Sequence, residues 1–148
     1  MAQEIERKFL VKGEFKYLSV KEIKITQAYL SVDPARTVRL RIADTEAHLT
    51  IKTVLNKRTF ARNEWEIAIP VSIANEIMES CLPGRIVKTR YIIPYRNHTF
   101  EVDVFHGRNE GLILAEIELS HSGEKFRKPD WLGEEVTGKS EYYNSNLI

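Results

Sequence analysis

Glu4-Ile5-Glu6-Arg7-Lys8-Phe9 sets a pattern that the rest of the chain repeats. As a β-strand its side chains alternate, so Glu4, Glu6 and Lys8 share one face while Ile5 and Phe9 take the other. Two carboxylates about 7 Å apart, followed by an ammonium, suit a divalent cation and the anion it carries. An edge strand with a solvated polar face is the simpler account of this stretch alone. Recurrence of the same arrangement on later strands is what changes the balance.

The alternation returns in Thr37-Val38-Arg39-Leu40-Arg41-Ile42, which sets Arg39 and Arg41 together and Val38, Leu40 and Ile42 opposite them. His48-Leu49-Thr50-Ile51-Lys52 adds Lys52 to the polar set, and Arg62-Asn63-Glu64-Trp65-Glu66-Ile67 adds one cation and two carboxylates. Lys88 and Arg90 alternate in Val87–Tyr91, Glu101 and Asp103 in Glu101–Phe105, and Glu116 and Glu118 in Glu116–Leu119. A further strand is expected around Ile23–Ser31, with Gln27 and Tyr29 on one face. The opposite faces supply Ile5, Leu40, Ile51, Trp65, Val87, Val104 and Ile117, which can pack against helices.

Turns are expected at Asp33-Pro34 and Asn56-Lys57-Arg58. Pro70 ends a strand, and Ser72 can cap a helix running to about Cys81, with Ile73, Ile77 and Cys81 as its core side. Pro83-Gly84 stops that helix, and the tail from Trp131 to Ile148 has room for one short terminal helix. The sum is a mostly β (α+β) chain of about eight antiparallel strands with two or three helices, a strand number close to what closes a small barrel.

One domain spanning residues 1–148 is expected, large enough to bury a real core. A net charge of +1 argues against non-specific nucleic-acid binding. The single cysteine, Cys81, excludes an internal disulfide framework and falls on the apolar side of its helix as a packing residue. No stretch resembles a signal peptide or a membrane span, so no membrane partner is expected and the cytoplasm is the expected compartment.

The polar faces carry full charge grouped strand by strand, rather than the usual mixture of Thr, Ser, Lys and Gln. Either this face points to water around a sandwich core, or the sheet curls so that it lines a wet tunnel. A dry interior is excluded, because desolvating so many ions would cost more than the total stability of a domain. Paired arginines suit bidentate phosphate recognition, and clustered carboxylates suit Mg²⁺ held to phosphate oxygens, which favours the tunnel.

The ordered set Glu4-Ile5-Glu6-Arg7-Lys8-Phe9, Gln27-Ala28-Tyr29-Leu30, Arg39-Leu40-Arg41, Lys52, Arg62-Asn63-Glu64-Trp65-Glu66 and Lys88-Thr89-Arg90-Tyr91 resembles the CYTH family, the triphosphate tunnel metalloenzymes. The resemblance continues through Asp103, Glu116-Ile117-Glu118 and the closing Gly133, Glu135-Val136-Thr137 and Tyr143-Asn144. Ala28, where the family often has glycine, is a minor departure. The resemblance implies a closed eight-stranded antiparallel barrel forming a charged tunnel with a few helices outside. With no added domain, it is to the short bacterial members, whose usual substrate is inorganic tripolyphosphate.

It further implies that Glu4, Glu6 and Glu118 hold Mg²⁺ or Mn²⁺, with Glu116 and Asp103 beside them. Glu64 and Glu66 would complete a second metal site or orient the attacking water. Lys8, Arg39, Arg41, Lys52, Arg62, Lys88 and Arg90 would clamp phosphate oxygens, with Lys8 and Arg90 also neutralising charge as it develops. Lys139 would reach the tunnel mouth from the tail. The expected chemistry is in-line attack of water on a terminal phosphorus. The alternatives are a thiamine triphosphatase, a nucleoside triphosphatase, an adenylate cyclase and a non-catalytic polyphosphate or nucleotide sensor.

Gly133-Glu134-Glu135-Val136-Thr137-Gly138-Lys139-Ser140 matches the phosphate-loop pattern letter for letter, but it lacks the preceding buried strand and following helix that such a loop needs. His48, His98, His106 and His121 lack metal-ligand spacing.

Overall fold

A computed structural model describes residues 5–56, 61–121 and 123–148. The chain divides into two compact units: Met1–Ile23 with Lys88–Tyr143, and Lys24–Val87 with Asn144–Ile148. Its strands are β1 (Ile5–Val11), β2 (Lys21–Asp33), β3 (Arg36–Ala43), β4 (Glu46–Asn56), β5 (Ala61–Ile69), β6 (Ile86–Tyr95), β7 (His98–His106), β8 (Ile113–Leu119) and β9 (Leu132–Glu135), with one α-helix, α1 (Val71–Met78). Short 3-10 turns lie at Lys16–Leu18, Gly107–Asn109, Ser140–Tyr142 and Asn144–Asn146. Among the described residues no helix is long and apolar enough to cross a membrane.

In the first unit the strands neighbour one another in the order β6-β7-β8-β1-β9. β1 runs antiparallel to β8 with Glu6 opposite Glu118, Lys8 opposite Glu116 and Phe9 opposite Ala115. That register stacks the apolar positions on one face, where Phe9, Phe100, Val102, Ile117 and Leu119 form a core with Tyr91 and Ile93. Phe15 and Trp131 close over it, and Phe100 meets Trp131 edge-on at 5.3 Å between ring centroids. Arg7 shares that face but sits at its rim, its Nε donating to Glu135 Oε2 at 2.8 Å and its guanidinium lying 4.9 Å from the Phe126 ring centroid.

β9 pairs with β1 through Phe9–Glu135 and Val11–Leu132. A Cβ at Gly133 would stand 2.9 Å from the Leu10 carbonyl oxygen, so glycine is what lets the two backbones approach. The tail therefore begins as a strand and continues through 3-10 turns, where a terminal helix was expected. The phosphate-loop look-alike falls across β9 and the turn at Gly138, whose φ of 79° is left-handed, with no α-helix after it.

In the second unit the order is β5-β4-β3-β2, an antiparallel meander. Leu40 faces Ala28 on one side and Leu49 on the other, and this apolar face packs with Ala74 and Met78 of α1. The helix is shorter than expected. It starts at Val71 after Pro70, Ser72 makes no capping hydrogen bond, and two residues of its face, Ala74 and Met78, are buried. Ile77 and Cys81 flank that core, as the spacing predicted, but Ile73 is exposed, because the helix turns its Ala74/Met78 edge to the sheet. Trp65 and Val87, expected to pack inward, are exposed. α1 packs on β3 and β4, so the outer face of β5 around Trp65 lies beyond its reach.

The expectation of a mostly β, antiparallel fold holds, with nine strands rather than eight and one α-helix rather than two or three among the described residues. Both sides of β1 are taken, by β8 and β9, while β5 and β9 each pair on one side only among the described residues. The closed ring of eight strands is therefore not seen in the strand pairing. The expected turn at Asn56-Lys57-Arg58 extends outside the described residues.

Truncating Phe100, which is fully buried among aromatic rings, is expected to remove about 3–5 kcal/mol of unfolding free energy, whereas Trp65→Ala on the exposed face should cost far less. Denaturant titration of both variants measures the contrast.

Candidate functional site

Each unit carries one charged face, produced by the strand alternation that builds its core. In the first unit the antiparallel register brings Glu6, Lys8, Glu116, Glu118 and Glu101 onto one face, Glu116 standing between Lys8 and Glu101. The Lys8 ammonium is held from two sides: it donates to the Tyr142 carbonyl at 3.0 Å and lies 3.4 Å from Glu116 Oε1. Glu6 remains accessible to solvent, yet the atoms around it desolvate its carboxylate, and Glu116 and Glu118 repel its charge more than Lys8 offsets. Its pKa is pushed up to about 7.

Farther along the same unit, Asp103 sits buried between two cations. Its Oδ2 is 2.8 Å from Lys88 Nζ, and Arg90 donates from Nε to Oδ1 at 2.8 Å and from Nη2 to Oδ2 at 2.9 Å. Arg90 also reaches Glu101 at 2.5 Å through Nη1. Lys88 and Asp103 are only 1% and 2% exposed, so part of the charged face is dry, contrary to the expectation that burial of these ions is excluded. It is tolerated because the ions are buried as a hydrogen-bonded set rather than singly. Burial alone would raise the Asp103 pKa, but Lys88 and Arg90 outweigh it and hold the carboxyl at about 2.

In the second unit Arg39 lies between Tyr29 and Thr50, Arg41 between Gln27 and His48, and Lys52 between Thr37 and Glu64, all on one face. Gln27 is completely buried and its Oε1 accepts both Arg41 Nε at 3.1 Å and Arg41 Nη2 at 2.9 Å, which fixes that guanidinium. Arg39 Nη2 donates weakly to Thr50 Oγ1 at 3.4 Å. A small cavity of about 40 Å³ opens among Tyr29, Thr37, Arg39, Thr50 and Lys52. Two buried donors of this face, Gln27 Nε2 and Arg39 Nε, have no hydrogen-bond acceptor among the described residues. Buried donors are nearly always satisfied, so each calls for an acceptor such as water or a bound ligand. Burial first, against the pull of Arg39 and Arg41, raises the Tyr29 pKa and keeps its phenol protonated.

The structure thus groups Glu6, Lys8, Lys88, Arg90, Asp103, Glu116 and Glu118 in one unit, and Arg39, Arg41 and Lys52 in the other with Glu64 and Glu66 on the adjoining β5. Glu66 is largely exposed, 4.0 Å from His48 Nε2. Lys139 sits on the surface 3.4 Å from Glu134 and joins neither group. Glu4 and the Arg62 side chain lie outside the described residues. Gln27, Tyr29, Thr50 and Glu101 belong to these faces although no site role was assigned to them from the sequence. The alternation placed Gln27 and Tyr29 correctly, but neutral side chains carry no charge signal.

Among the described residues no three His, Cys, Asp or Glu side chains form a ready-made ligand cluster. The donors present nonetheless fit a hard divalent cation in one place. Desolvation first, and then the charges of Glu116 and Glu118, push the Glu6 pKa up to about 7, a cost to its carboxylate that a cation would relieve. Asp103 does not fit a ligand role, since both its oxygens are engaged by Lys88 and Arg90.

The depressed pKa of Asp103 predicts a stability profile. Its contribution is fully present above the ordinary carboxylate value of 3.8 and is lost as pH falls through the folded value near 2. Unfolding free energy measured from pH 5 to pH 2 should fall at the acid end, and Asp103→Asn should remove that part of the slope while lowering stability at pH 7.

The family model for the CYTH domain matches residues 2–147. An inorganic triphosphatase of Acetivibrio thermocellus is 43% identical over 149 residues, covering 100% of this chain and 94% of that protein. One from Nitrosomonas europaea is 35% identical over 150 residues, covering 97% and 95%. A crystal structure of an inorganic triphosphatase has a TM-score of 0.76 and 34% identity, covering 99% of this chain and 95% of that one. The charged faces, the order of the strands within each unit and the end-to-end similarity agree, and the chain belongs to the CYTH domain family.

Proposed function

We propose that this chain hydrolyses a linear triphosphate, with inorganic tripolyphosphate as the preferred substrate and pyrophosphate and phosphate as products. The observation that carries the reading is the pair of unsatisfied buried donors, Gln27 Nε2 and Arg39 Nε, on a face that also presents Arg41 and Lys52. Phosphate oxygens are acceptors of the right charge and geometry for such a row. Support comes from relatives, 43% and 35% identical along nearly their whole lengths, that are inorganic triphosphatases.

In this reading Arg39, Arg41 and Lys52 bind phosphate oxygens, while Lys8, Lys88 and Arg90 stabilise the charge that grows on the transferred phosphoryl group and its leaving oxygen. Arg62 is included as a further phosphate-binding cation. Asp103 orients Lys88 and Arg90 so that both cations keep one geometry through the reaction. Glu64 and Glu66 accept hydrogen bonds from the attacking water, whose oxygen forms the new bond to phosphorus as the bridging P–O bond breaks. Glu6, Glu116 and Glu118, with Glu4, would hold Mg²⁺ or Mn²⁺, which when bound supplies charge neutralisation on phosphate oxygens. Residues 1–148 act as one domain in the cytoplasm.

Phosphate release measured across tripolyphosphate, pyrophosphate, ATP and thiamine triphosphate, with Mg²⁺ and with Mn²⁺, tests the assignment. Tripolyphosphate should give the highest kcat/KM, chelation should abolish turnover, and Glu6→Gln should do the same while the protein stays folded. A higher kcat/KM for ATP, or accumulation of cyclic AMP, would transfer the assignment to one of the other triphosphate enzymes.

Arg39→Ala should lower kcat/KM by roughly tenfold to a hundredfold through lost charged hydrogen bonds, with incomplete rescue by lysine. Gln27→Ala should lower it by about tenfold because Arg41 loses its anchor, and should add little to Arg41→Ala. Full additivity of the two would show that Gln27 does not act through Arg41.

A further inference from the structure

The β6–β7 hairpin turns at Arg96 and Asn97, both in the left-handed region, with φ of 48° and 60°. A two-residue hairpin of this twist is ordinarily built from Asn and Gly. Here an arginine takes the first position, its guanidinium lying 5.7 Å from the Tyr95 ring centroid. Beside it the segment Lys125-Phe126-Arg127 supplies two more cations, and together with Asn97 and His98 these residues line a cavity of about 430 Å³. That volume lies in the range of small-molecule sites.

The floor of this groove is fixed. Phe126 packs edge-on to Phe9 at 5.9 Å, to Phe100 at 6.2 Å and to His98 at 6.3 Å between centroids, which ties it to the first unit's core. The neighbouring carboxylate, Glu124, is engaged elsewhere: it is 2.5 Å from His98 Nε2, and its other oxygen accepts from the Ser120 backbone N–H at 2.9 Å and from the Ser120 hydroxyl. Arg96, Lys125 and Arg127 are exposed, and none makes an ion pair among the described residues. Along β6, Arg96 is six residues from Arg90, roughly 20 Å of extended chain, so the groove shares no residue with the charged strand faces.

We propose that this groove is a second anion site, which takes a phosphate-bearing small molecule through Arg96, Lys125 and Arg127. Three cations line a groove whose apolar floor, Phe126, is tied to the core, and the Glu124 carboxylate already has His98 and Ser120 as hydrogen-bond partners. A second cavity of about 310 Å³, lined by Tyr17, Leu18, Tyr95 and Trp131, also includes Arg96. The phosphate chain is the shared chemistry, and an aromatic base attached to it would enter that second cavity, which Asp130 also lines. The site stands independently of the triphosphatase reading.

Backbone amide shifts followed by NMR during titration with pyrophosphate, and separately with ADP, test it at constant ionic strength without divalent metal. Arg96–His98 and Lys125–Arg127 should shift along a saturating curve. The Arg96→Gln/Arg127→Gln double variant, altered at two exposed positions, should bind about tenfold more weakly or worse, with tripolyphosphate hydrolysis unchanged. Lys125→Gln should weaken binding to a smaller degree. Equal affinities for the two ligands mean that the phosphate chain alone is read, and tighter ADP binding with shifts at Tyr17 and Tyr95 means that a nucleotide is. Linear, unsaturable shifts, shifts reproduced by sodium chloride, or unchanged binding by the double variant would overturn the proposal.

Discussion

A β-strand has two faces, and this chain loads them with opposite chemistry. Ions gather on one side and core residues on the other, so a slip of one residue in register would drive ions into the core and leucines into water. The pairing of Glu6 with Glu118 and Lys8 with Glu116 is therefore fixed as much by Phe9, Ile117 and Leu119 on the reverse side as by the charges themselves. Core and site are products of the same alternation.

The cost of bringing like charges together is handled differently in the two units. In the first, Asp103 lies between Lys88 and Arg90, and Glu116 faces Lys8, so most of the charge is balanced within hydrogen-bond range. Glu6 is the exception, and its raised pKa records the imbalance. In the second, Gln27 holds Arg41 through a neutral amide oxygen. An anion-binding row is stronger when its cations are oriented by neutral partners than when carboxylates already neutralise them.

Some residues break the alternating logic, and each has a physical reason. Trp65 is apolar yet exposed, because α1 is only eight residues long and covers β3 and β4 rather than β5. Gly133 stands where β9 and β1 approach too closely for any side chain. Arg96 occupies a left-handed turn position that seldom holds arginine, on the hairpin where an independent cluster of cations gathers.

The sequence alone determined the strands and their faces, because a two-residue period needs no knowledge of the partner strand. It located Arg39, Arg41 and Lys52, and Glu6, Glu116 and Glu118, on common faces, and the ordered set of these motifs was enough to indicate the family. Only the tertiary structure decided what each ion touches. Asp103 reads from the sequence as one more acid beside Glu116 and Glu118, but the fold places it between Lys88 and Arg90, where its oxygens are taken. Gln27 reads only as a strand residue sharing a face with Tyr29, but burial makes it the holder of Arg41. The tail had room for a short helix, but its start became β9, because pairing along β1 satisfies its backbone better than an isolated helical turn could. Alternation is a local property of the chain, whereas partnership between ions is set by register and burial, which arise only when strands distant in sequence meet.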